Sequence, residues 1–151
     1  MFKKILVPTD GSNEATAAGR QAIDLAKALG ATVVAFHVAP PFQREFFEDF
    51  VLPPQTTRES WQAGLRTVAE RHFQALKEAA RASGVSLSTD IAFDSRPWDA
   101  ICAAAKAHGC DLIVMGPRGR GRVADYILGS VTARVLGANQ TPVLVHRLPA
   151  T

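Results

Sequence analysis

The chain contains 151 residues, of which 47% are hydrophobic and 21% are charged, and its formal net charge at pH 7 is +3. A chain of this length forms one domain and buries about 68–70% of its unfolded surface, which is enough for a core of its own. The composition is that of an ordinary globular protein, and so small a charge gives no reason to expect nucleic-acid binding.

The first half of the chain alternates between predicted strands and helices. A short apolar run at 4–7 predicts a strand, and a helix follows from Ser12, its N-cap, to Leu29. Gly30 ends that helix, and the β-branched residues at 32–38 predict the second strand. The basic N-terminus is not a signal peptide, because Pro8 and Asp10 interrupt the apolar run.

The segment from 39 to 57 is irregular and rich in proline, and it carries four phenylalanines: Phe42, Phe46, Phe47 and Phe50. Loops of this length without regular structure are uncommon and often functional. Two interpretations stay open. The aromatic cluster is either a small core beneath a long loop or a flap that covers a ligand or a partner.

The second half continues the alternation. Helical spacing from Trp61 to Gly84 is followed by a strand at 85–92 and by a helix that Pro97 begins and Gly109 ends. An apolar strand at 111–115 leads into a glycine-rich loop, a last helix that ends near residue 138 and a last strand at 142–146. No segment reaches the ~18 apolar residues of a membrane span.

This order of elements predicts a single α/β domain over residues 1–151. It is one open, parallel, five-stranded, Rossmann-like sheet with helices on both faces. We assume the strand order 3-2-1-4-5, in which the first and fourth strands are neighbours at the point where the order reverses. Ligands of such sheets bind there, beyond the carboxyl ends of the strands.

The loop after the fourth strand has the chemistry of a phosphate site. Its glycines let backbone N–H groups approach a ligand closely, and the start of the last helix favours an anion. Arginines supply further donors. The residues concerned are Gly116, Arg118, Gly119, Arg120, Gly121, Arg122, Gly129 and Ser130. The alternative is a plain loop with solvated arginines, and the number of such features in one segment favours phosphate.

Two better-known nucleotide motifs are excluded. The chain has no Gly-x-x-x-x-Gly-Lys-Ser/Thr segment, so this is not a P-loop. Residues 119–124 do match the dinucleotide pattern Gly-x-Gly-x-x-Gly/Ala, but the next strand ends at His146 without the acid that would bind a ribose.

The spacing of the glycines resembles a known signature. Gly116-x-x-Gly119, nine residues and then Gly129-Ser130 match the Gly-2x-Gly-9x-Gly-Ser/Thr pattern of the ATP-binding branch of the universal stress protein family. The segments 5–12, 111–116 and 142–145 also look like that family's first, fourth and last strands, so the resemblance covers the whole chain. One departure is the stretch 94–98, which lacks the glycine that the family often has before the proline corresponding to Pro97.

The resemblance implies an adenine-nucleotide site that holds ATP, AMP or ADP, with or without Mg²⁺. By this resemblance Asp10 contacts the ribose or adenine side, and Val38 gives backbone contacts to adenine. The expected cofactor-binding residues are Pro8, Thr9, Asp10, Val38, Met115, Gly116, Arg118, Gly119, Gly121, Gly129, Ser130, Val131 and Thr132. From the residues alone, Asp10 is equally well explained as a turn residue before Gly11.

Two classes of function follow. The first is a regulatory, ATP-binding stress-response protein that is not an enzyme and has no catalytic residues. The alternative is an ATP-using enzyme of related architecture, with slow hydrolysis or adenylyl transfer. Such enzymes are expected to carry His-x-x-His or Ser-Gly-Gly-x-Asp-Ser, and neither occurs here. In-line phosphoryl transfer also needs metal clamps and an oriented nucleophile, so we expect at most slow turnover.

The remaining candidates have simpler explanations. The four histidines His37, His72, His108 and His146 are scattered, so core or surface roles are favoured over a metal site. Cys102 and Cys110 fit no disulfide or zinc pattern, which indicates a reduced, cytoplasmic protein, and we expect Cys110 to be buried. We expect Trp98 to pack against the core.

The last strand, from Pro142 to His146, is apolar and is expected at the edge of the sheet, where proline is tolerated. An uncovered edge favours pairing with a second copy. The family resemblance also implies such dimers, so we expect a homodimer through this strand, with no nucleic-acid or membrane partner. No protein partner is indicated.

Overall fold

A computed structural model of the chain describes residues 1–43, 53, 55–119 and 127–149. The strands in these ranges are β1 Lys4–Pro8, β2 Thr32–Ala39, β3 Leu87–Phe93, β4 Leu112–Met115 and β5 Val143–Val145. The helices are α1 Asn13–Leu29, α2 Arg58–Ser83, α3 Pro97–Ala107 and α4 Ser130–Ala138. The predicted alternation of strands and helices is therefore confirmed.

The five strands form one parallel sheet in the order β3-β2-β1-β4-β5. This confirms both the predicted fold class and the assumed strand order. β1 is bonded on both sides, since Ile5 is in register with Val33 of β2 and with Leu112 of β4. The order reverses between β1 and β4, so the loops that follow these two strands leave the sheet side by side.

Alternate side chains of the central strands pack against helices on opposite faces of the sheet. On one face, Ile5 packs in a cluster with Leu76 of α2 and the alanines of α1. On the other face, Leu6 packs with Ile101 of α3 and Val135 of α4. This alternation follows from the two-residue period of a strand, and it places helices on both faces as predicted.

Helix α2 begins earlier than its apolar pattern indicated, at Arg58 rather than at Trp61. The reason is a reciprocal cap. The backbone N–H of Ser60 donates to the Thr57 hydroxyl at 3.1 Å, and the backbone N–H of Thr57 donates to the Ser60 hydroxyl at 3.0 Å. This arrangement satisfies two otherwise unpaired donors, with serine at the third helical position instead of the more usual Glu or Gln.

Strand β3 begins later than predicted, at Leu87 rather than at Val85. Gly84 adopts a left-handed conformation with φ 71°, and the N–H of Val85 donates to the carbonyl of Ala80 at 2.9 Å. Val85 therefore completes the C-terminal cap of α2 and is not available to the sheet. Strand β5 is also shorter than the predicted range 142–146.

No helix in the described parts of the chain is both long and apolar enough to cross a membrane.

The N-terminus of β1 is joined to β4 by a carboxylate. The backbone N–H groups of Lys3 and Lys4 donate to the two oxygens of Asp111 at 2.9–3.1 Å. Burial acts to raise the pKa of Asp111, but these backbone donors favour its charged form and bring the pKa below its usual value. Asp111 therefore stabilises the fold mainly when it is ionised.

Replacing Asp111 with Asn should lower the free energy of unfolding at neutral pH, because the amide accepts these bonds more weakly. The folded pKa lies below the unfolded value of about 3.9, so the contribution of the carboxylate is present above that value and is lost as the pH falls through the folded pKa. Urea unfolding at neutral pH and near pH 2 measures this, with Asp24→Asn on the exposed side of α1 as a control of equal charge. A deficit that is equally large at both pH values would contradict the linkage.

Candidate functional site

A cavity of about 220 Å³ lies at the carboxyl ends of the central strands, where the strand order reverses. We call it the central cavity. Strands, helices and both loops at the reversal contribute to it. Its lining residues are Pro8, Thr9, Asp10, Ala15, Phe36, His37, Val38, Pro97, Ile101, Met115, Gly116, Arg118, Gly119, Val131 and Thr132. Ten of the thirteen residues predicted from the sequence and the resemblance are among them.

The first wall of the cavity is the β1–α1 turn, residues 9–12. The N–H of Thr9 continues the ladder to the carbonyl of Phe36 at 2.8 Å, which fixes the start of the turn against β2. Asp10 then accepts a hydrogen bond from the N–H of Ser12 at 3.0 Å, and Gly11 takes a left-handed conformation with φ 76°. Asp10 thus has the turn role considered above, and it also lines the cavity.

Two histidines support this turn, and sequence reasoning assigned them no part in the site. The ring Nδ1 of His37 lies 2.8 Å from the carbonyl oxygen of Thr9. The rings of His37 and His72 have centroids 5.0 Å apart, and His72 packs so closely on Gly11 that a Cβ added there would lie 2.0 Å from its Nδ1. His37 precedes Val38 at the carboxyl end of β2, and that position was the one available signal for its role.

The second wall is the β4–α4 loop, of which residues 116–119 and 127–129 are described. The buried hydroxyl of Thr132 donates to the carbonyl of Gly116 at 3.0 Å, and the N–H of Gly129 donates to the carbonyl of Pro117 at 2.7 Å. These two bonds bring the end of the loop back to its beginning. The start of α4 therefore lies beside the cavity, and Val131 and Thr132 of its first turn line it.

The N-cap of α4 is Gly129, in an extended conformation, and no side chain makes a capping hydrogen bond there. The first N–H groups of a helix lack partners within the helix, and with the helix dipole they attract anions. The first turn of α4 therefore presents donors and partial positive charge next to the cavity. Ser130 is exposed and is not among the lining residues.

The three glycines of the signature that the structure describes all lie in close contact with the protein. A Cβ added to Gly116 would lie 3.3 Å from the backbone of Glu14, and one added to Gly119 would lie 2.7 Å from Oδ2 of Asp10. A Cβ on Gly129 would lie 2.9 Å from the Cα of Arg118. Real Cβ contacts are longer than the last two distances. A side chain at Gly129 therefore requires the backbone around Arg118 to shift, because Gly129 is buried against the loop.

Arg118 lines the cavity, and its guanidinium forms an ion pair with Glu14 of α1. The Nη2 and Oε1 atoms are 2.6 Å apart, and the two side chains are only 17% and 20% exposed. This ion pair, which is largely shielded from solvent, links the start of the β4–α4 loop to the first turn of α1.

Several predicted features fall outside the described residues. Gly121, Arg120 and Arg122 of the loop, and Phe46, Phe47 and Phe50 of the long segment, belong to this group. Phe42 is described, and its ring lies 6.2 Å from that of Trp61.

Other candidates have structural roles. No group of three or more His, Cys, Asp or Glu side chains among the described residues is arranged to hold a metal ion. His108 pairs with Asp90 at 2.7 Å. Cys110 is buried as expected, and burial raises the pKa of its thiol. Trp98 packs against the second core, with the guanidinium of Arg134 4.0 Å above its ring centroid.

A model of the universal stress protein family matches residues 1–147 of the chain. The chain belongs to this family. Universal stress protein MJ0531 of Methanocaldococcus jannaschii is 33% identical over 150 residues, which cover 99% of this chain and 84% of the relative. A universal stress protein of Thermus aquaticus is 34% identical over 147 residues, which cover 97% of this chain and 100% of the relative. The resemblance read from the sequence is confirmed.

Solved structures of the family have the same fold. That of MJ0577, another M. jannaschii protein, matches with a TM-score of 0.76 at 28% identity and covers 100% of this chain and 99% of its own. A universal stress protein in complex with cAMP matches at 23% identity with a TM-score of 0.68 and 97% coverage of both chains. An Archaeoglobus fulgidus protein in complex with dAMP matches at 21% with a TM-score of 0.67, covering 95% and 96%. At these identities the two complexes establish the fold alone.

Replacing Gly129 with Val should destabilise the protein even without a ligand, since the new side chain collides with the backbone of Arg118. We expect a loss of about 1–3 kcal/mol, typical of overpacking. Gly137→Val in the same helix is the matched control, because a Cβ there meets nothing within 4 Å. Denaturant unfolding of the ligand-free proteins measures the difference. Equal stability of the two variants would show that the contact at Gly129 is not sterically limiting.

Proposed function

We propose that this chain binds an adenine nucleotide, ATP or its close relatives AMP and ADP, in the central cavity and acts as a regulatory stress-response protein. The observation that carries the proposal is the meeting of the glycine signature and the start of α4 with the carboxyl end of β2 at one cavity. The free thiols of Cys102 and Cys110 fit the reducing cytoplasm that the sequence predicts.

The two ends of a nucleotide match different parts of the lining. Phe36, Val38 and Ile101 supply the apolar surface that a base requires, and Gly116 and Val131 belong to the loop and helix start suited to phosphate. The cavity is about 220 Å³, smaller than the roughly 300 Å³ at the low end of small-molecule sites. We therefore assign the base and ribose to the cavity and the phosphates to the β4–α4 loop at its mouth.

Adenine nucleotides are favoured for a further reason. In the two complexes with cAMP and dAMP, proteins of this fold hold an adenine nucleotide. The present chain shares their fold and carries the full glycine signature of the ATP-binding branch. Mg²⁺ would accompany a triphosphate through the phosphate oxygens, and it would offset the charge of Asp10 near the loop.

The described ionisable groups at the cavity support binding over turnover. Arg118 is paired with Glu14, Asp10 accepts a hydrogen bond within its own turn, and Nδ1 of His37 lies 2.8 Å from the carbonyl oxygen of Thr9. Catalysis of phosphoryl transfer depends on metal clamps and an oriented nucleophile. An ATP-using enzyme with slow hydrolysis or adenylyl transfer remains the second candidate. A product assay with enzyme in excess over ATP separates the two, because a binding protein returns ATP unchanged.

Saturating Mg-ATP should raise the melting midpoint of nucleotide-free protein by roughly 5–11 °C. A ligand at 100 times its dissociation constant adds about 2.7 kcal/mol, and each kcal/mol shifts a domain of this size by about 2–4 °C. GTP should shift it much less, because the family resemblance implies backbone contacts from Val38 that are specific for adenine. Asp10→Ala should weaken the ATP effect without removing it, because most phosphate contacts lie elsewhere.

Scanning fluorimetry of protein stripped of nucleotide measures these shifts, with Asp24→Ala on the exposed side of α1 as the matched control. An unchanged midpoint in millimolar ATP, ADP and AMP would refute the nucleotide proposal.

We also propose a homodimer through β5. The N–H of Ile113 donates to the carbonyl of Pro142, and the N–H of His146 donates to the carbonyl of Met115. The backbone groups of the even-numbered residues of this segment therefore point toward β4. Those of Val143 and Val145 consequently face the open edge of the sheet. Leu144 is 37% exposed beside that edge. An outward-facing strand edge with an exposed leucine suits pairing about a two-fold axis.

Leu144→Arg should convert the dimer into a monomer, because it places two like charges close to the two-fold axis. Leu29→Arg is the matched control, since Leu29 is 36% exposed but lies at the end of α1. Light scattering at high micromolar concentration gives the mass. A wild-type monomer, or a dimer that withstands Leu144→Arg but not Leu29→Arg, would refute pairing through β5.

A further inference from the structure

The ion pair between Glu14 and Arg118 joins two segments that are 104 residues apart in the chain. Arg118 lines the central cavity, whereas Glu14 is not among the lining residues. The arginine is therefore the member of the pair that a ligand meets, and the glutamate holds it from the protein side. With the two side chains 17% and 20% exposed, solvent screens this contact less than it screens a surface pair.

Glu14 is held almost entirely by this arginine. Its Oε1 accepts from Nη2 of Arg118 at 2.6 Å, whereas Oε2 is buried and has no hydrogen-bond partner in the described part of the chain. A buried carboxylate that loses its cation is strongly destabilised. Moving Arg118 from Glu14 to a phosphate therefore has an energetic cost that an unpaired arginine would not have.

We propose that Glu14 sets the phosphate selectivity of the site by holding the charge of Arg118. The inference rests on the proposed nucleotide site. A phosphate that approaches Arg118 either displaces Glu14 or binds a guanidinium whose charge is already compensated. In both cases the outer phosphates of ATP add less binding free energy, relative to the single phosphate of AMP, than they would at an unpaired arginine. Glu14 is thus a positioning residue that acts through Arg118, and it makes the site more permissive toward AMP and ADP.

Contacts other than this ion pair also hold the start of the loop. Gly116 packs on the backbone of Glu14, with a Cβ site 3.3 Å away, and Thr132 holds the carbonyl of Gly116 at 3.0 Å. Neither contact involves the carboxylate of Glu14. Glu14→Gln, which has the same shape, should therefore leave the loop in place and change the charge opposite Arg118.

The test measures dissociation constants of Mg-ATP and AMP by calorimetry for wild type, Glu14→Gln and Asp24→Asn. The last variant removes an equal charge from an exposed position of α1. We expect the preference for ATP over AMP to rise about tenfold in Glu14→Gln, the effect of one charge-assisted contact, and to stay unchanged in Asp24→Asn. In an Arg118→Gln background, Glu14→Gln should have no further effect, as a double-mutant cycle requires.

Glu14→Asp provides a second variant that keeps the charge but shortens the side chain, and it should change the preference in the same direction by a smaller factor. An unchanged or lower preference in Glu14→Gln overturns the inference, and so does an equal rise in Asp24→Asn or persistence of the effect without Arg118. If wild type binds ATP and AMP, such results leave the proposed function intact. If neither wild type nor Glu14→Gln binds any adenine nucleotide, both proposals fail. Binding of ATP by Glu14→Gln alone supports the inference.

Discussion

The close packing of the β4–α4 loop on the β1–α1 turn and the first turn of α1 is the contact on which the candidate site depends. Strand order brings the two segments together, and glycines at the contact points allow a close approach. Gly116 meets the backbone of Glu14, Gly119 meets the carboxylate of Asp10, and Gly129 meets Arg118 within the loop. The start of α4 is held beside the cavity as a consequence.

This packing changes the physical meaning of the glycine signature. A glycine in a phosphate loop is usually explained by the space that the ligand needs. Here contacts within the protein also disfavour a side chain at these positions, most clearly at Gly129, before any ligand is considered. The two explanations are compatible, because a loop that is docked in advance presents its N–H groups without a further ordering cost. The signature therefore places the two described ends of the loop, residues 116–119 and 127–129, beside the cavity.

The fold was predictable because the apolar periodicity and the residues that mark helix ends indicate the same elements. Apolar runs of strand length alternate with helical spacing, and Ser12, Gly30 and Pro97 mark helix ends where the structure has them. The errors are local. Thr57 and Ser60 start α2 three residues before its apolar pattern, and Val85 closes a helix cap instead of opening a strand. In both cases backbone hydrogen bonding at a helix end decided the boundary, and apolar periodicity carries no information about it.

The site was predictable in its backbone and much less so in its side chains. Turns at the ends of β1 and β4 are visible in the sequence, since glycine and Asp-Gly pairs mark them. The pairing of Glu14 with Arg118 and the support of Gly11 by His72 link residues far apart in the chain, and no local pattern encodes them. The sequence suggested that Arg118 is a simple phosphate ligand because its partner, Glu14, is 104 residues away in the chain. In a partly buried site, the binding free energy that a cationic side chain offers to an anionic ligand depends on the anion with which it is already paired. The electrostatic effect of a loop on a ligand therefore cannot be predicted from the loop's own residues alone.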